Sequence, residues 1–220
     1  MPAYFTLTMQ FEKKRIHPDF VKEVYSQMIS CGFDFKSGYM IHENASLDEI
    51  IDWNQKRIDV GFVLGYTQHY KHDYMQILFQ TEYYSELRGY WMYFDEVAFN
   101  LIIPEGSIMT SEGSDCFVEE KIIPVKKLAI KMWEAGIVDA IQTSVELSDG
   151  CYSLSSVLSG NGISIIPFAI LPENAFACFP DNYFKNKEIV SSRIGKHGVF
   201  LEPKLQSGDC AEYRYVPSSL

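Results

Sequence analysis

The chain has 220 residues, 47% of them hydrophobic and 15% aromatic, which is ample for a well-buried core and excludes a disordered polymer. Its formal net charge of -10 is shared almost evenly between the two halves of the sequence; such a surface repels phosphate backbones and anionic lipid. No nucleic-acid and no membrane binding is therefore expected, and a cationic protein partner is favoured.

The longest apolar run, 163–171, is interrupted by Pro167 and is far shorter than the ~20 residues of a membrane-spanning helix. The start of the chain has no basic, apolar and small-residue pattern of a secretory leader. Five cysteines, Cys31, Cys116, Cys151, Cys178 and Cys210, form no C-x-x-C pair and indicate neither a disulfide framework nor a zinc ribbon. A cytoplasmic protein with reduced thiols is the expectation.

Phe5, Leu7, Met9 and Phe11 alternate with Thr6, Thr8 and Gln10, the pattern of a strand with one buried and one wet face. A helix follows, opened by Pro18 and Asp19, striped by Phe20, Val24, Met28 and Cys31, and closed by Gly32. Phe33, Phe35, Tyr39 and Ile41 predict a second strand, completing a β-α-β unit. Ser46 and Glu49 form a capping box for a helix reaching about Arg57. Further strands are predicted over 74–80, 87–94 and 97–103, the last two a hairpin turned at Asp95-Glu96, with Val97, Phe99, Leu101 and Ile103 on its buried face.

The polar stretch 104–115 reads as a loop joining two α/β halves, 1–105 and 116–220, which form either two units or one continuous domain with 106–115 as the connection. Beyond it the pattern predicts a helix over 122–135, a strand over 139–147, a short helix over 153–158, strands near 163–170 and 175–179, and a hairpin turn at Gly195-Lys196-His197-Gly198. Pro217 to Leu220 reads as a frayed end.

One internal echo stands out. Val21-Lys22 through Met28 to Gly32 recurs as Val125-Lys126 through Met132 to Gly136, each copy placing Val-Lys at a helix start, Met one turn before the helix end and Gly just after it. The echo suggests duplication, and convergent design of two amphipathic helices explains it equally well. The resulting fold class is α+β: a mainly antiparallel sheet with helices packed on one face, built from two pseudo-duplicated β-α-β-containing halves. The near-continuous Val/Ile strands of a doubly wound parallel sheet are missing.

No G-x-S-x-G elbow, Walker A loop, H-E-x-x-H helix or Rossmann fingerprint is present, and Ser159-Gly160-Asn161-Gly162 reads as an ordinary turn. Catalytic residues and cofactors are left unassigned. His69, His72 and Asp73 offer two imidazoles and a carboxylate, ligand types suited to zinc or a similar divalent ion, although on a strand the two imidazoles would face opposite sides. The aromatic tract 83–94 provides rings with polar tips, suited either to sheet packing or to recognition. Tyr83, Tyr84, Glu86, Arg88, Tyr90 and Tyr93 are the candidate binding residues. Cys151 is the cysteine expected to be most exposed, and the carboxylate pairs Asp95-Glu96 and Glu119-Glu120 are expected to be solvated.

A small acidic α+β chain with many surface-compatible aromatics and no catalytic motif is similar in kind to bacterial toxin-immunity proteins, which neutralise a partner by binding it. That class-level similarity implies a non-catalytic cytoplasmic binding protein. The alternatives are a metal-dependent enzyme using the His69, His72 and Asp73 region, and a small-molecule-binding domain with its pocket between the halves.

Overall fold

The computed structural model describes residues 3–63, 73–110, 116–146, 148 and 150–204, together with the backbone of 213–214. In chain order its elements are β1 (Tyr4–Phe11), α1 (Phe20–Ser30), β2 (Asp34–Gly38), α2 (Leu47–Asp59), β3 (Ile77–Gln80), β4 (Leu87–Tyr93), β5 (Val97–Pro104), α3 (Glu105–Ile108), β6 (Cys116–Phe117), α4 (Glu119–Glu134), β7 (Ala140–Val145), α5 (Leu154–Leu158), β8 (Ala169–Pro172), α6 (Glu173–Phe176), β9 (Ile189–Ile194), β10 (Gly198–Pro203) and β11 (Tyr213–Arg214). Nine strands form one sheet in the order β2-β3-β4-β5-β1-β7-β8-β10-β9, antiparallel at each ladder, and β6 pairs with β11 apart from it. The α+β class and the antiparallel sheet follow the sequence pattern. β1 lies between β5 and β7, so the sheet runs unbroken through both halves of the sequence.

The first face of the sheet carries the larger core. Phe5, Leu7, Met9 and Phe11 of β1 and Val97, Phe99, Leu101 and Ile103 of β5 are fully buried there against α1, α2 and α4. Phe20, Val24 and Met28 of α1 are buried as the helical stripe requires, and so is Met132 of α4. Gly89, in the middle of β4, lies beneath the ring of Phe99, and an added methyl would overlap that ring and Ile77. The capping box forms as predicted: the Ser46 hydroxyl accepts from the Glu49 N–H at 3.3 Å, and the Glu49 carboxylate accepts from the Ser46 N–H at 2.8 Å.

Helices occupy both faces, which corrects the one-sided arrangement expected from sequence. Alternate residues Ala140, Ala169, Leu171, Val199 and Leu201 point to the second face, where Leu154 and Val157 of α5 and Ala175 of α6 cover them. Three local expectations also change. The second strand ends at Gly38, because Met40 takes a positive φ of 51° and opens a short 3-10 turn that leaves Ile41 exposed. The segment expected as a strand over 175–179 is instead helix α6 and its exit. The connection 104–115 begins with helix α3, and 111–115 lie outside the described residues.

The echo is only partly structural. Met28 and Met132 are both buried, and Gly32 and Gly136 both turn the chain out with φ of 85° and 74°. α4, however, starts at Glu119, so Val125 lies well inside it whereas Val21 sits at the start of α1. The units β1-α1-β2 and β5-α4-β7 both join parallel strands with the helix on the first face. The first crosses three intervening strands and the second only one, so duplication is not established.

Candidate binding surfaces

The second face is covered unevenly. Over β7, β8 and β10 it lies under α5, α6 and the chain that follows them, while over β2 to β5 no helix among the described residues packs on it. Alternation along β4 sends Leu87, Gly89 and Trp91 into the first-face core and leaves Arg88, Tyr90 and Met92 half-buried on the second face. Cross-strand register then sets two rows: Leu78, Arg88, Ile102, Thr6 and Ser144, and beside it Tyr90, Asn100, Thr8 and Gln142. The Arg88 guanidinium lies between the rings of Tyr4 and Tyr39, 5.3 and 4.8 Å from their centroids. Burial raises the Tyr90 hydroxyl above the usual phenol range, against a lowering influence from Arg88.

Where β1 meets β7 the second face is sealed by a polar network rather than wetted. Gln142 is fully buried: its carbonyl accepts from the Tyr152 and Ser164 N–H groups, and its amide donates to Gln10 Oε1 at 2.7 Å and to the Tyr152 carbonyl at 2.8 Å. Gln10 donates in turn to Glu96 Oε1 at 3.1 Å and to the Tyr152 carbonyl. The same Glu96 oxygen accepts from the Leu154 N–H at the start of α5. Every capacity of Gln142 is used, so this cluster holds residues 150–154 on the sheet and has no free group for chemistry. Sequence reading placed Thr8 and Gln10 on a wet face and Glu96 in a solvated turn. The segment 150–154, brought across from another part of the chain, buries them; Thr8 is 5% and Gln10 2% exposed. Only the amide-rich composition of two paired strands hinted at this.

The same segment buries Cys151. Its thiol donates to Thr8 Oγ1 at 3.3 Å and to Ser144 Oγ at 3.6 Å, and burial pushes its pKa up, the opposite of an activated nucleophile. Cys178 is the exposed cysteine among those described.

The six aromatic-tract candidates separate into four places. Arg88 and Tyr90 share the second face of the sheet. Tyr83 and Glu86 are exposed on the β3–β4 connection, where Glu86 pairs with Lys36 at 2.9 Å. The Tyr83 hydroxyl is raised above the usual phenol range, first by its hydrogen bond to Glu82 and then by the charges of Glu82 and Glu120. Tyr84 is 3% exposed and donates to the Lys121 carbonyl of α4 at 2.9 Å, so it is a packing residue and presents no surface. Tyr93 is half-buried on the first face, under Lys13 at 4.6 Å and against Gly61. Trp91 joins Tyr25, Phe79 and Phe99 in the core.

Of the metal candidates, His69 and His72 lie outside the described residues. Asp73 is half-buried, and its carbonyl accepts from Trp53 Nε1 at 2.6 Å. Among the described residues no group of three or more His, Cys, Asp or Glu is arranged to hold a metal ion, and no helix is long and apolar enough to cross a membrane.

No family model matches the chain, and no curated protein matches it. Among solved structures it is similar to the Pseudomonas aeruginosa T6SS protein PA0821, with 10% sequence identity and a TM-score of 0.40 over 96% of this chain and 69% of that one.

Proposed function

We propose that this chain is a non-catalytic binding protein of the toxin-immunity kind, which covers a cationic partner with the tip formed by the β3–β4 connection and the start of α4. The observation that supports this reading is the exposed Tyr83, 44% accessible and held among the carboxylates of Glu82 and Glu120, with Glu86 nearby in sequence. An aromatic ring supplies contact area at low entropic cost, and surrounding carboxylates steer a positively charged partner toward it. The net charge of -10 acts in the same direction at longer range.

The test is co-expression with the product of the adjacent gene, followed by binding kinetics on the purified pair. Rescue of growth from a toxic neighbour is the expected result. Glu82→Lys with Glu86→Lys should lower the association rate by roughly 10-fold at low salt and flatten its salt dependence. Tyr83→Ala should mainly speed dissociation. A neighbour that is harmless, or association rates indifferent to both reversals, refutes the reading.

A further inference from the structure

The nine-stranded sheet ends at β2 on one side and at β9 on the other, and among the described residues neither outer edge is paired. A free edge offers unpaired N–H and C=O groups to any other strand, so folded proteins blunt it with bulges, charges or proline. β2 is blunted: its register breaks between Phe35 and Ser37, and the strand stops at Gly38. β9 is not. Its six residues pair with β10 without a break, contain neither proline nor glycine, and are exposed over 190–193. The one charged side chain in the strand, Arg193, pairs with Glu173 at 3.2 Å.

The ladder to β10 fixes which groups face outward. The Lys204 N–H donates to the Glu188 carbonyl at 2.7 Å, so the main-chain groups of Val190, Ser192 and Ile194 face β10, and those of Ser191 and Arg193 point to the free side. Ile194 packs on the first-face core and Ile189 on the second-face core, which puts Val190, Ser192 and Ile194 on the first face and Ser191 and Arg193 on the second. Val190 is 42% exposed, an apolar side chain held out beside the edge.

We propose that β9 is a self-association edge, which pairs antiparallel with β9 of a second copy about a two-fold axis at Ser192 and continues the sheet across both molecules. The residues of the edge are complementary to themselves in this register. Val190 lies opposite Ile194 of the second copy on the first face, Ser192 opposite Ser192, and Arg193 opposite Ser191, so that no two like charges meet directly. Beyond the strand ends Glu188 comes opposite Lys196 of the second copy, an attractive pair repeated by the symmetry. Ser191 and Arg193 of the second copy form the hydrogen-bonded pairs, and they are the residues whose main-chain groups point outward. Moving the axis to Ser191 would set Ile189 against Arg193 and Glu188 against Ile194, and loses this matching. So short a contact makes a weak dimer, with a Kd on the order of 100 μM. β9 is at the far end of the sheet from β3, so the dimer leaves the Tyr83 tip of each copy uncovered and the two readings stand or fall separately.

The experiment is sedimentation equilibrium of the purified chain from about 5 to 500 μM, bracketing that Kd, combined with cysteine cross-linking. A monomer–dimer equilibrium is expected. Ser191→Pro removes an outward N–H that β10 does not use, so it should weaken the dimer at least ~10-fold while the circular dichroism spectrum and urea midpoint stay close to the native ones. Val190→Lys, which sets a charge against Ile194 of the second copy and leaves the backbone untouched, should weaken it similarly. In a background with Cys178→Ser and Cys210→Ser, Ser192→Cys should form an intermolecular disulfide under mild oxidation. Directly opposed residues at a non-hydrogen-bonded position lie about 4.5 Å apart at Cα, within disulfide reach. Ser191→Cys should cross-link far more slowly, because its opposite number is Arg193. A monomer throughout the range overturns the proposal and leaves the edge to a strand of another protein. A dimer indifferent to both Ser191→Pro and Val190→Lys, or cross-linking as fast at 191 as at 192, overturns it as well.

Discussion

Removing one oxygen from the core, in Tyr25→Phe, tests how the first-face core is specified. Tyr25 is fully buried in α1, and its hydroxyl oxygen accepts from Trp91 Nε1 at 2.8 Å and from Asn54 Nδ2 at 3.1 Å. The substitution leaves the rings in place and opens almost no cavity, so packing loss is negligible. What remains is polar. The Trp91 N–H loses the acceptor shown for it, at about 1–3 kcal/mol for an unsatisfied buried donor. Asn54 loses less, because its amide also donates to the Met75 carbonyl at 2.9 Å. A net loss of about 2–3 kcal/mol is expected, which for a chain of this size lowers Tm by roughly 5–10 °C. The assay is urea denaturation, in which the midpoint should fall at unchanged slope. Repeating the substitution in a Trp91→Phe background removes the orphaned donor in advance and should cut the added cost to about 1 kcal/mol. A change below ~0.5 kcal/mol, or the same cost in both backgrounds, would refute the role of the Tyr25 hydroxyl as shared acceptor for Trp91 and Asn54.

Met132→Ala should cost about 2–5 kcal/mol through lost transfer energy and a cavity under α4, read as a lower denaturation midpoint; an unchanged midpoint would mean the site collapses freely or faces water. Stability should also decline in alkali. Burial raises the pKa of Cys151, Tyr25 and Tyr84, so each stays protonated in the fold after its unfolded counterpart has ionised. The folded state then binds more protons than the unfolded state, and the stabilisation present at neutral pH is lost from about pH 8.5 for the thiol and about pH 10 for the phenols upward. A urea midpoint that stays level to pH 10.5 would contradict this. For the same reason iodoacetamide should modify Cys178 well before Cys151 at pH 8, checked by peptide mass analysis.

Much of the fold was legible because its signals are local. The period-two run of β1, the Ser46–Glu49 capping box, the 95–96 and 195–198 turns, and the burial of Met28 and Met132 each depend on residues close together in sequence, where side-chain spacing and cap chemistry act directly. What the sequence could not reveal depends on what a distant segment covers. The same period-two pattern describes a wet face and a sealed one; only the arrival of residues 150–154 on β1 and β7 decides that Thr8, Gln10 and Gln142 are buried and Cys151 is shielded. In the aromatic tract, strand alternation separates Trp91 from Tyr90, yet whether Tyr83 or Tyr84 meets solvent was decided by the docking of α4, whose Lys121 carbonyl captures the Tyr84 hydroxyl. The buried polar atoms of Arg88 and Asn100 that lack a hydrogen-bond partner were invisible for the same reason. They come from adjacent strands, and their lack of partners is a property of the assembled sheet, because hydrogen-bond satisfaction depends on neighbours in space while sequence pattern records neighbours along the chain.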